Sequence, residues 1–118
     1  MQTILAQASA AYTASGSSAS LSLGPAPRAI QALAVDVNVS AASGTSPSLT
    51  LILERLAADG NWYQVWSPSA ITAIGTASTS IGPGCATAQV VTQTIRLRWT
   101  ISGTTPSFTF SASIIGWP

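Results

Sequence analysis

The sequence predicts an all-β fold, an antiparallel β-sandwich of the jelly-roll or immunoglobulin-like kind with about seven to nine short strands. Three observations predict it. Apolar residues recur at period two in four separate stretches, and that period places alternate side chains on opposite faces of a strand. Gly or Pro interrupts most of the remaining chain, and Ser, Thr, Val and Ile are scattered throughout, so no long helix is expected. Turn-forming clusters separate the alternating stretches at short intervals and leave no room for crossover helices.

In chain order, residues 3–9 and 19–23 are weak strand candidates. Leu33, Val35, Val37 and Val39 share one face, with Asp36 and Asn38 on the other. Residues 43–47 (Ser-Gly-Thr-Ser-Pro) are expected to form a hairpin into Leu49, Leu51 and Leu53, which alternate with Thr50 and Glu54; Ile52 breaks the polar face. Asp59-Gly60-Asn61 is a strong hairpin signal ahead of a strand over Trp62–Trp66. Residues 71–80 and 88–91 are weaker strands, and residues 81–88, with Gly82-Pro83-Gly84-Cys85, read as a surface loop. Ile95, Leu97, Trp99 and Ile101 then alternate with Arg96, Arg98 and Thr100, which makes Trp99 a core residue. A last hairpin over residues 102–106 leads to Phe108, Phe110 and Ala112. Residues 24–28 and 67–68 are candidates for connections between sheets.

A chain of 118 residues is one domain. Residues 21–118 are expected to form it, with residues 1–20 as an N-terminal arm or an edge strand. Residues 7–20 are almost all Ala, Ser, Thr and Gly around Tyr12, so packing alone barely offsets their ordering entropy. One reading is an arm that orders on assembly by adding a strand to a neighbour's sheet, anchored by Tyr12. The other is an ordinary edge strand of the same subunit.

Composition excludes several functions. The charged residues are Arg28, Asp36, Glu54, Arg55, Asp59, Arg96 and Arg98, and the net charge is +1. That gives no electrostatic footprint for nucleic acid or an anionic membrane. Hydrophobic residues make up 47% and mean hydropathy is +0.41, far from the signature of disorder. No apolar run is long enough for a membrane helix, and the start lacks the positive region and apolar core of a signal peptide. The lone Cys85 forms no internal disulfide. Without His or Lys, a Ser or Cys nucleophile lacks its usual base, and zinc would find one soft ligand. Glu54 and Asp59 flank one turn and are a conceivable carboxylate pair, but Asp59 in Asp-Gly is expected to support the turn. No glycine loop leads into a helix to cradle phosphates. The chain is therefore expected to be no enzyme and to carry no cofactor or metal.

Two constellations invite a binding role. Trp62 and Trp66 would share one strand face about 13 Å apart, a spacing that suits sugar rings; core packing or an oligomer interface is the competing reading. Arg96 and Arg98 project from the face opposite Trp99. They read as a solvated face, as ion-pair partners of Asp36 and its neighbours, or as contacts to a partner's carboxylates; the scarcity of acids in the chain favours a partner. The chain also echoes itself: residues 43–51 (SGTSPSLTL) recur as residues 102–110 (SGTTPSFTF), 59 residues on, identical at six of nine positions. Two equivalent hairpins, one per sheet, or one favourable turn used twice, would explain it.

The order of an alternating strand, Ser-Gly-Thr-Ser-Pro, a strand ending in Glu54, Asp59-Gly60-Asn61-Trp62, and then Arg96-Leu97-Arg98-Trp99 running into Ser-Gly-Thr-Thr-Pro-Ser-Phe-Thr-Phe resembles small β-sandwich virion proteins of tailed bacteriophages. The resemblance covers about residues 29–115, and residues 67–93 depart from it. It implies a head decoration (cement) or other accessory structural protein. The expected partners are the major capsid protein and further copies of the chain, as a dimer or trimer, and the expected location is the outer surface of the capsid after synthesis in the host cytoplasm. A charge-poor chain rich in Ser, Thr and Ala agrees, because copies of itself and a shell surface can cover its apolar faces. Arg96, Arg98, Tyr12, Trp62 and Trp66 are the candidate partner-binding residues. The alternatives are a phage-borne carbohydrate-binding module contacting the host surface and a head–tail or tail accessory subunit.

Overall fold

The computed structural model describes residues 2–18, 20–22, 32–82, 84–87 and 94–117. The predicted strand at residues 88–91 and the connection at residues 24–28 lie outside them. Every regular element among the described residues is a strand: β1 (Gln2–Tyr12), β2 (Gly16–Ser17), β3 (Leu21–Ser22), β4 (Ala32–Leu56), β5 (Trp62–Trp66), β6 (Gly75–Ile81) and β7 (Thr94–Trp117). All join one antiparallel sheet.

Its spine is the pair β4–β7, matched from Ala32↔Trp117 to Arg55↔Ile95. The first part of β4 carries β6 on its other side, Leu33↔Ile81 to Val39↔Gly75. The last part carries β5, Leu53↔Trp66 to Leu56↔Trp62. β7 is flanked by β2 and β3 along its first part and by β1 along its last. The sheet thus has two halves, joined where both long strands pass through their Ser-Gly-Thr segments.

The halves do not lie flat. Trp99 and Phe110 are eleven residues apart on β7, about 37 Å in a straight strand, yet their ring centroids are 5.5 Å apart. The strand must double back, and the sheet covers its own inner face. Each of the four alternating stretches supplies that face. Leu33, Val35, Val37 and Val39, then Leu49, Leu51 and Leu53, then Ile95, Leu97 and Trp99, then Phe108, Phe110, Ala112 and Ile114 are all buried in one cluster, joined by Val65 and Ile81. Each Val, Leu, Ile or Phe among them contributes about 1.5–3 kcal/mol when fully buried. Ile101 packs against the cluster from its margin.

The repeated segments are not hairpins. A hairpin at residues 43–47 would pair the Val35 stretch with the Leu49 stretch. Instead Val39 opposes Phe110, Leu49 opposes Ile101, and the two echoes oppose each other through Ser43↔Ser107, Thr45↔Thr104 and Ser48↔Ser102. Register shifts flank Thr45. Gly44 and Gly103 have φ of 114° and 122°, and Ser46 and Thr105 have φ of 49° and 46°. The same left-handed kinks therefore recur at equivalent places, and bulges of this kind bend a strand sharply. The two glycines are also needed for space. A Cβ on Gly44 would sit 2.8 Å from the Thr105 carbonyl oxygen, and one on Gly103 would sit 2.8 Å from that of Ser46. The echo is thus a local pseudo-two-fold crossing, in which each segment turns around the other.

The Asp59-Gly60 turn is a true hairpin. Gly60 takes a φ of 86°, the Ala57 N–H donates to the Asn61 carbonyl at 2.9 Å, and the Gly60 N–H donates to that of Ala57 at 3.0 Å. The N-terminal segment lies on its own subunit. β1 runs along β7 from Gln2↔Gly116 to Tyr12↔Phe108, and the Tyr12 ring is 4.9 Å from Trp99 and 4.7 Å from Phe110. Beyond it, hydroxyls complete the edge of β7. The Leu97 N–H donates to Ser18 Oγ and the Ile101 N–H to Ser15 Oγ, while the Trp99 indole N–H donates to the Ala14 carbonyl.

Candidate functional site

The outer face of the half formed by the end of β4, β5 and the start of β7 gathers three of the six charged residues described, Glu54, Arg96 and Arg98. Alternation buries Ile95, Leu97 and Trp99 and turns Arg96 and Arg98 outward. β4 runs beside them with Leu53 inward, so Glu54 is outward and directly opposite Arg96. The Arg96 Nε donates to Glu54 Oε1 at 2.9 Å and the Arg98 Nε donates to the same oxygen at 3.2 Å. Glu54 is the one buried charged residue described. The intramolecular acceptor for the arginines is thus Glu54, where the sequence suggested Asp36; Asp36 lies in the other half, opposite Ser113 and Ser78.

Trp62 completes the cluster. Its ring lies under the Arg96 guanidinium, 4.2 Å from centroid to Cζ, a cation–π contact that holds the arginine flat. Trp66 is elsewhere. A register shift between Leu53↔Trp66 and Glu54↔Gln64 leaves Val65 as an extra residue in β5 and inverts the alternation. Trp66 therefore faces inward with Leu53 and packs against the core, while Trp62 faces outward with Glu54. The expected pair of tryptophans on one face does not form, and the two-ring sugar platform loses its geometric premise. Tyr12, the remaining candidate, is half-buried between Trp99 and Phe110 in its own subunit.

The two carboxylates beside the turn do different things. Asp59 accepts from the Tyr63 hydroxyl at 2.7 Å and from the Asn61 N–H at 2.8 Å. Those bonds, the tyrosine's first, hold its carboxyl below the ordinary 3.8 and push the Tyr63 hydroxyl above its ordinary value. The Arg55 guanidinium lies 5.4 Å from the Tyr63 ring centroid. Asp59 is thus bonded within the turn and Glu54 to two arginines.

A shallow depression of about 330 Å³ adjoins the arginines, lined by Ser15, Gly16, Ser17, Arg96, Arg98, Trp99 and Thr100. Gly16 opposes Trp99 in register, and a Cβ there would come 3.2 Å from the indole, which would have to give by a few tenths of an ångström. Two guanidiniums against one carboxylate leave a local charge of +1. Each guanidinium carries five donors, and the contact with Glu54 uses the one on Nε. The arrangement suits a carboxylate supplied from outside, received on a pre-ordered fork. The sequence offered Glu54 as a neighbour of Asp59 and not as the partner of the arginines, a role that becomes visible once the end of β4 is paired with the start of β7.

Compared with known proteins, the chain matches no family model, and no curated protein sequence matches it significantly.

Proposed function

We propose that this chain is a structural virion protein of the tailed-phage type, a β-sandwich that decorates the outer surface of an assembled head and stabilises it. The observation that supports the reading is the Arg96–Glu54–Arg98 fork on Trp62 beside the Ser15–Ser17 depression. It is a pre-ordered polar contact patch on a sheet face, which fits docking of a shell protein's carboxylate. The order of motifs that resembles decoration proteins supports the same reading. A site that only the assembled lattice presents complete makes such a protein a clamp by mass action, since binding favours the assembled state.

Mass spectrometry of purified particles tests it. Hundreds of copies per head are expected, and a count of six or twelve would place the chain at the tail or portal axis instead. Replacing Arg96 and Arg98 together by Gln is expected to strip the protein from heads at raised salt while the isolated fold survives. Unchanged occupancy would count against the patch.

A further inference from the structure

β6 differs from the other strands that border the sheet. β1 is broken by two register shifts, and β5 is five residues long with an extra residue at Val65. Irregularities of this kind keep foreign strands away from an edge. β6 runs seven residues in unbroken register against β4, with no charge and no proline. Its polarity can be read from its end. The Thr87 N–H donates to the Ser80 carbonyl at 2.9 Å, so that carbonyl points away from β4. Alternation then turns the backbone N–H and C=O of Ser78 and Thr76 to the same side, where no described residue meets them. Thr87 covers the edge only near Ser80 and Ile81. Beside the uncovered stretch stands Ile74, 70% exposed. The other exposed large hydrophobic among the described residues, Tyr63, has its hydroxyl bound to Asp59.

We propose that β6 is a self-association edge at which two copies of this chain pair antiparallel about a two-fold axis through Ala77. Thr76 of one copy then opposes Ser78 of the other, and four backbone hydrogen bonds form from groups that no described residue of the same copy meets. In such an isologous contact residue i of one copy meets j of the other and j meets i, so the Thr76–Ser78 pairing occurs twice. No charge on the strand opposes the pairing. The nearest, Asp36, is one strand in, so the two carboxylates end three strand spacings apart, about 14 Å, beyond the screening length of about 8 Å in physiological salt. Ile74 of each copy lies at an end of the paired strands and is covered there. This contact rests on the edge alone and stands whether or not the chain decorates a head.

Sedimentation of the full chain across a dilution series, with amide exchange, tests it. The expected mass is twice the 11.9 kDa of one chain, with the Thr76 and Ser78 amides protected in the dimer. Ser78→Pro removes an N–H that β4 does not use and is expected to weaken the dimer about tenfold or more. Ile74→Lys, outside the strand, is expected to do the same, and it carries the test if the proline variant fails to fold. A chain that stays monomeric at every concentration, a trimer, or a dimer indifferent to Ile74→Lys would overturn the proposal.

Discussion

Trp99 is held on every side: Tyr12 and Phe110 pack on its ring, Gly16 gives it room, and Ala14 receives its indole N–H. Removing the ring leaves a cavity in the middle of the aromatic cluster and a carbonyl without its donor. Trp99→Ala is expected to cost about 3–5 kcal/mol by denaturant titration; a loss under about 1 kcal/mol would contradict this packing. Glu54 sets a second expectation. Glu54→Gln leaves two guanidiniums facing each other, Arg96 and Arg98 being only partly exposed, and is expected to cost about 1–2 kcal/mol after allowance for solvent screening. The hairpin residue Asp59 carries a pH dependence. Its folded carboxyl lies below the unfolded value, so its contribution is present above about 3.8 and is lost as pH falls through the folded value. Tyr63→Phe removes the first cause of that depression and is expected to move the Asp59 titration upward in an NMR pH series.

At the scale of elements, the crossing of the two Ser-Gly-Thr segments decides where β4 and β7 bend. Gly44 and Gly103 have the same backbone conformation and meet the same kind of obstacle, the carbonyl oxygens of the opposing segment. Gly44→Ala and Gly103→Ala are therefore each expected to destabilise by about 1–3 kcal/mol or more, and by similar amounts. Gly60, with open space around its missing Cβ, is expected to respond less to the same change. Thermal or denaturant unfolding of the three variants compares them directly. The extra residue in β5 acts at the same scale. One inserted position sends Trp62 to the arginines and Trp66 to the core, so the candidate site and the packing share a strand of five residues.

For the whole molecule, β1 is paired along β7 of the same chain. It contributes a full strand to β7 and places Tyr12 on the aromatic cluster, and the residues after it complete the β7 edge with Ser15 and Ser18. Deleting residues 2–18 is expected to abolish cooperative unfolding, read by circular dichroism. A deleted chain that stays folded would restore the idea of an arm that orders on assembly.

The sequence by itself determined which side chains are inside. Period two in the Leu33, Leu49, Ile95 and Phe108 stretches is a local property of extended backbone, so the buried face, the position of Trp99 and the outward course of Arg96 and Arg98 were legible from spacing alone. The Asp59-Gly60 hairpin was legible for the same reason, since its chemistry lies within the turn. Tertiary structure alone decided the rest, because pairing is a relation between distant residues. Ser-Gly-Thr-Ser-Pro has the composition of a turn whether the chain reverses there or bends and continues. The choice depended on each glycine finding the other's backbone, 59 residues away. Once that choice paired β4 with β7 end to end, Glu54 stood opposite Arg96, and the extra residue at Val65 separated Trp62 from Trp66. The candidate site is a consequence of register, and register is set by contacts across the sheet.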